Sequence, residues 1–300
     1  MLNFEEFRNE VIRLLSDCLA ECEITPADVK KNNATFRGIA FKNPVSNLSP
    51  TIYLDKAFER YESGEEIESI VENIKGMYDR ALPETNFDVS FFEDWDKVKN
   101  LVEPRLVKKE GNEEFLSDKP STDFLDLAII YAVKCDLPGA GAGSITVTYR
   151  HFEMWGITME ELHNAAFANA KAEAILEPLE MVLARMMGGF VPTTNLLQEE
   201  SYDISSQSLP MMILRNERFI NGASLIADND TLAKARGVMG DDLIIIPSSV
   251  HEVILLPKRF GENLDELTSM IGAVNGEELP PEDVLSDHPY IFTEDGLKIA

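Results

Sequence analysis

Leu243-Ile244-Ile245-Ile246-Pro247-Ser248-Ser249-Val250-His251-Glu252-Val253-Ile254-Leu255-Leu256-Pro257 is the stretch from which the architecture can be read. Two short apolar runs rich in β-branched residues flank a polar Pro-Ser-Ser segment, the signature of a β-hairpin. Phe260 follows, and residues 264–274 then carry apolar side chains at helical spacing. The same order recurs upstream, first through residues 51–54, Phe58 and residues 67–77. It recurs again through residues 144–149, Phe152 and residues 162–170. Residues 106–109 precede a short helical pattern at 112–116, as residues 212–215 precede one at 217–220. The recurrence predicts an α+β fold of two or three related β-hairpin–helix modules, with mainly antiparallel sheets and flanking helices. The modules span 1–82, 105–189 and 210–300, joined by the weakly patterned stretches 82–104 and 190–209.

Working outward, Phe4, Phe7, Val11, Leu14 and Cys18 line one face of an N-terminal helix. Residues 35–41 alternate as a strand, and residues 51–54 return as its partner. A helix after Gly64 turns Ile67, Ile70, Val71, Ile74 and Met77 inward. Residues 124–133 read as a buried strand, and Gly139–Gly143 as a flexible turn. Thr158-Met159-Glu160-Glu161 matches a capping box, in which hydroxyl and carboxylate each satisfy a free backbone amide. Leu176, Leu179, Leu183 and Met186 predict a further helix, stopped by Gly188-Gly189.

Composition bounds the function. Of 300 residues 44% are apolar, enough for a substantial core. No apolar run approaches the roughly 18 residues that span a bilayer. The start, Met1-Leu2-Asn3-Phe4-Glu5-Glu6, lacks the basic-then-apolar pattern of a secretory signal. A soluble cytoplasmic protein is expected. The formal charge is −26, from 27 basic and 53 acidic residues. That field repels phosphate backbones and anionic membranes, which argues against ordinary nucleic-acid binding and membrane contact. It suits a protein partner with a basic surface. Cys18, Cys22 and Cys135 cannot all pair within one chain. Cys18 and Cys22 share the apolar face of the first helix and read as small core residues rather than ligands. No second Cys/His pair stands at zinc spacing, so neither a metal nor a cofactor is expected.

Candidate chemistry concentrates in Ser248, Ser249, His251 and Glu252. Nucleophilic catalysis needs hydroxyl, imidazole and carboxylate within hydrogen-bond reach. In an extended strand Ser249 and His251 point one way, Ser248 and Glu252 the other. A triad along one strand is therefore poor geometry, and no Gly-x-Ser-x-Gly elbow is present. The string reads instead as a hairpin turn whose hydroxyls bond nearby backbone. Asp228-Asn229-Asp230 and Asp241-Asp242 lack the remaining ligands of a calcium loop. Ser286-Asp287-His288 reads as a turn, and His151, His163 and Trp155 as packing residues.

Several strings, in order along most of the chain, carry a resemblance: Pro50-Thr51-Ile52-Tyr53-Leu54-Asp55, Arg105-Leu106-Val107, Phe124-Leu125-Asp126-Leu127-Ala128, Trp155-Gly156-Ile157-Thr158, Asn221-Gly222-Ala223, residues 246–253 and Leu285-Ser286-Asp287. In these the chain resembles a family of uncharacterised bacterial proteins, common in anaerobic gut bacteria and defined only as a domain of unknown function. Lys108 stands where that family usually has Asn. The resemblance implies a bacterial cytoplasmic origin and no particular activity.

The leading expectation is thus a non-enzymatic binding or adaptor protein with an acidic surface. Its rivals are a hydrolase-like enzyme built on Ser248, Ser249, His251 and Glu252, joined by Asp126 or Asn221, and an acidic mimic of nucleic acid. The hydrolase requires a water-accessible pocket where those groups converge. The mimic requires acidic residues in a phosphate-like row.

Overall fold

The α1 helix, Phe4–Cys18, begins with the capping box its sequence allows, Asn3 and Glu6 each satisfying the other's backbone amide. In the computed structural model, which describes residues 1–81, 88–137, 141–198, 210–261 and 263–300, the chain divides into two units. Residues 1–92 and 134–145 form the first, and residues 93–133 and 146–300 the second.

The first unit sets β1 (Glu23–Lys31), β2 (Ala34–Lys42) and β3 (Thr51–Tyr53) side by side, all antiparallel. Helices α1, α2 (Asp55–Glu62) and α3 (Ile67–Ala81) complete it. Phe4, Phe7, Val11 and Leu15 of α1 share a core with Ile39, Phe41, Ile52, Ile70 and Tyr78. Leu15 rather than Leu14 takes the fourth buried position, as a 3.6-residue repeat dictates. Cys18 is the last helical residue and is exposed, and Cys22 lies beyond the helix, so the shared core face expected for them is corrected. Cys22 still packs against the core, its thiol 3.5 Å from the Tyr78 hydroxyl. Tyr78, stacked on Phe41, fills the place expected of Met77, which is exposed. Strand β1 carries no clear alternation in its sequence, because Pro26, Lys30 and Lys31 interrupt the pattern. Pro is tolerated there because β1 is an edge strand. Asn33, at φ +56°, makes the two-residue turn into β2.

The second unit runs α4 (Trp95–Val98), β4 (Val102–Lys108), α5 (Glu113–Leu116), β5 (Thr122–Phe124) and β6 (Leu127–Leu137), which continues into the first unit, where β7 (Gly141–Thr146) begins. Then come α6 (Tyr149–Trp155), α7 (Met159–Ala172), β8 (Ala174–Pro178), α8 (Leu179–Met186), β9 (Met212–Asn216), α9 (Asn229–Met239), β10 (Leu243–Ile246), β11 (Glu252–Pro257), α10 (Leu264–Glu277), β12 (Tyr290–Thr293) and β13 (Gly296–Ile299). Its main sheet has six strands in the order β13-β12-β10-β11-β9-β8, every neighbouring pair antiparallel. The predicted hairpin is β10–β11, with Leu243 opposite Pro257 and Ile246 opposite Ile254. Leu264, Leu267 and Ile271 of α10 cover one face of it, against Ile244, Ile246, Leu256 and Ile291. A 3-10 turn, Gly222–Ala227, packs against β9, β11, β4 and α7.

The fold is α+β, as expected. Local corrections have physical causes. Leu176 stands in β8 rather than in a helix, because Ala174–Pro178 pairs with β9 and all its residues are buried. Strand pairing overrode an apolar spacing that α8 takes up only from Leu179. Gly141–Gly143 open β7 rather than forming a turn, while Gly139 and Ala140 lie outside the described residues. The strand expected through Tyr149 ends at Thr146, where Thr148 begins α6. The Thr158–Glu161 capping box forms. Residues 105–133, 146–189 and 210–300 all lie in the second unit, where β8 from the central window pairs with β9 from the C-terminal one.

Candidate functional site

Residues 247–251 leave the sheet between β10 and β11, so the alternation expected of an extended strand does not apply to them. Both serine hydroxyls donate to one carboxylate oxygen, Glu252 Oε1, Ser248 at 3.4 Å and Ser249 at 3.2 Å. Ser249 is buried, and its hydroxyl also accepts the His251 backbone N–H at 3.0 Å. Ser249 thus makes the local side-chain-to-backbone bond expected of a turn, whereas Ser248 is bonded to the Glu252 carboxylate instead of the backbone. The His251 ring is committed elsewhere. Its Nδ1 accepts the backbone N–H of Asn221 at 3.2 Å, which leaves the proton of the neutral ring on Nε2. Nε2 faces Asp283 Oδ1 at 3.3 Å. Val250 N–H bonds the Asp283 carbonyl at 2.9 Å, holding that carboxylate beside the ring. With both ring nitrogens engaged, the imidazole is bonded to neither hydroxyl. The structure brings Asn221 to the string, through its backbone, and supplies Asp283, which no local pattern flagged.

Asp126 lies in a second polar group. It follows Leu125, held at φ +55° between β5 and β6. Asp126 Oδ1 accepts the Tyr290 hydroxyl at 2.9 Å; Oδ2 stands 3.4 Å from the Ser286 hydroxyl and 3.2 Å from His288 Nε2. Nδ1 of His288 faces the Pro289 carbonyl at 3.3 Å. Asp287 turns away, to Lys108 Nζ at 2.8 Å and Asn275 Nδ2 at 2.9 Å. Those hydrogen bonds hold its carboxyl below the usual carboxylate range. Burial is the main cause that pushes the Tyr290 phenol up. Because Tyr290 pairs with Ile245, this group lies at the same end of the sheet as the 247–251 turn.

The loop after β9 borders that end. Asn216 clamps Ile220 from both sides, accepting its N–H at 3.1 Å and donating to its carbonyl at 2.6 Å. Phe219 and Asn221 are both left-handed, at φ +55° and +58°. A Cβ on Gly222 would stand 2.6 Å from Asn216 N and 2.7 Å from His251 O, so only glycine fits. The Phe219 ring lies 3.8 Å from the Arg215 guanidinium. Arg215 is buried and held by Glu177 Oε1 through both Nε and Nη2, while Arg185 takes Oε2 at 2.5 Å. The short helical pattern expected at 217–220 is corrected: these residues form turns and bends, because left-handed Phe219 and Asn221 cannot continue a right-handed helix.

The other histidines pack. His151 Nδ1 accepts the Thr148 N–H that opens α6, and His163 Nδ1 meets the Tyr131 hydroxyl at 3.0 Å. Burial lowers both imidazoles. Among the described residues no group of three or more His, Cys, Asp or Glu is placed to hold a metal ion, and no helix is long and apolar enough to cross a membrane. An open hollow of about 450 Å³ in the first unit is lined by Glu59, Arg60, Ser63 and Glu65.

The chain belongs to a family of unknown function, DUF5688, whose model matches residues 4–294. No curated protein and no solved structure matches it.

Proposed function

We propose that this member of the family is a non-enzymatic binding protein of the cytoplasm, whose acidic surface receives a protein partner with a basic one. The observation that carries this reading is the bonding of His251: Asn221 and Asp283 take its two nitrogens, while Ser248 and Ser249 serve Glu252. A serine nucleophile needs a base on its own hydroxyl. Ser286 is in the same position, bonded to Asp126 rather than to an imidazole. The formal charge of −26 favours a cationic partner and speeds its approach.

Fluorescence anisotropy with labelled Arg/Lys-rich peptides and acidic counterparts tests the reading, beside turnover assays on nitrophenyl esters and phosphoesters. Saturable binding of the basic peptides, weakened by salt, and no turnover are expected. Turnover that disappears in His251→Ala would overturn the reading in favour of the hydrolase. Failure of every basic peptide to bind would overturn it as well.

A further inference from the structure

Two carboxylates of the second unit each serve two guanidinium groups. Glu177 holds Arg215 and Arg185, and Glu103 holds Arg105 and Arg218. Each group therefore carries one positive charge more than its acid supplies, within a chain of formal charge −26. At Glu177 the surplus is eased by backbone: Arg215 also donates to the Asn216 carbonyl and Arg185 to that of Pro192.

The Glu103 group has no such relief. Arg105 donates Nε and Nη2 to Glu103 Oε1, at 3.1 and 2.7 Å, and Arg218 donates Nη2 to Oε2 at 2.5 Å. The remaining hydrogens, on Nη1 of both arginines and on Nε of Arg218, have no acceptor among the described residues. Arg218 Nε is moreover buried. A buried charged donor without a partner is costly, and a bound ion is one of the few arrangements that account for one. The Arg218 side chain is 30% exposed and that of Arg105 17%, so solutes reach the pair from the solvent side. The Glu103 side chain, 7% exposed, fixes both forks in advance, which limits the entropy lost on binding. Glu217, next to Arg218 in the chain, is exposed, where water and salt screen it.

We infer that Arg105 and Arg218, oriented by Glu103, bind a small oxyanion, a carboxylate or a phosphate, whose oxygens take the hydrogens that Glu103 leaves. Guanidinium forks match the geometry of both anions and keep their charge across the physiological pH range. The site goes beyond the binding reading above, which concerns a cationic partner and stands or falls without it.

Isothermal titration of the full chain with inorganic phosphate, and separately with acetate, in dilute chloride buffer tests the site. Saturable one-site binding of at least one of the two is expected, weakening as chloride is raised, and the arm that binds identifies the anion. Arg218→Gln should weaken it at least about tenfold, the loss of one charge-assisted hydrogen bond. Arg218→Lys keeps the charge without the fork and should fall between. It also keeps a cation beside Glu103, and so serves if Arg218→Gln does not fold. Tryptophan fluorescence in urea checks the fold of each. Arg259→Gln, at an exposed arginine paired with Asp241, should bind as the native chain does. If neither anion binds the native chain saturably, the site is refuted. Undiminished binding by a folded Arg218 variant, or an equal loss in Arg259→Gln, would overturn it as well.

Discussion

Replacing Glu177 by alanine should destabilise the second unit by about 3–5 kcal/mol, the cost of leaving a buried charge without its counter-ion. Glu177 is 0% exposed and the Arg215 side chain 2%. Without the carboxylate the Arg215 guanidinium would keep, among the described residues, the Asn216 carbonyl, at 2.8 Å, and the Phe219 ring. Arg185 matters less: its side chain is 22% exposed, so it can turn to water, and it already donates to the Pro192 carbonyl. Set against a typical domain stability of about 5–15 kcal/mol, the loss takes a large fraction of the total. The double variant Glu177→Met/Arg215→Met removes both charges together. It should fall within about 2 kcal/mol of the native chain, because well-packed apolar replacements of buried ion pairs are often neutral. Both tryptophans, Trp95 and Trp155, lie in the second unit with ring centroids 5.5 Å apart. Tryptophan fluorescence in urea therefore reports that unit alone. A loss below about 1 kcal/mol in the single variant, or a double variant as unstable as the single, would refute the reasoning.

Gly222→Ala should cost about 1–3 kcal/mol, since the new methyl meets backbone atoms on two sides and neither can yield alone. The same urea titration reads it, with amide exchange at Asn221 reporting the broken bond to His251. Ser249→Ala should cost about 1–3 kcal/mol by stranding the His251 amide, whereas Ser248→Ala should stay within about 0.5 kcal/mol. Equal effects would contradict the division of labour in the turn. Tyr290 is pushed up mainly by burial, so its folded pKa lies above the unfolded one. Its contribution is therefore fully present below about pH 10 and is lost as the pH climbs beyond it. Urea midpoints between neutral and strongly alkaline pH should fall less steeply in Tyr290→Phe. That variant should lose about 1 kcal/mol at neutral pH with its bond to Asp126.

What was legible in the sequence was local. The α1 and α10 stripes, the Thr158 capping box and the β10–β11 hairpin each depend on residues a few positions apart. Strand β1 was hidden because an edge position tolerates Pro26 and two lysines, which blur the alternation. Strand β8 was hidden because Leu176 continues the apolar spacing of α8, and only pairing with β9 distinguishes strand from helix. At the candidate site the turn at Ser248 and Ser249 was legible, but the bonding of both hydroxyls to the Glu252 carboxylate was not, because that needs residues 247–251 to leave the extended conformation.

The partners of the two imidazoles were not legible. Asp283 reaches His251, and Asp126 reaches His288, only across separations in sequence that no local pattern encodes. The chain alone determined that the Pro-Ser-Ser string would leave the sheet as a turn, because proline cannot continue the ladder and short polar side chains bond groups close in sequence. The pairing of β12 with β10, and the seat of Gly222 against His251, decided which carboxylate faces each ring and left Phe219 and Ile220 in the open. Those positions follow from sheet register and close packing, which exist only once distant segments have met.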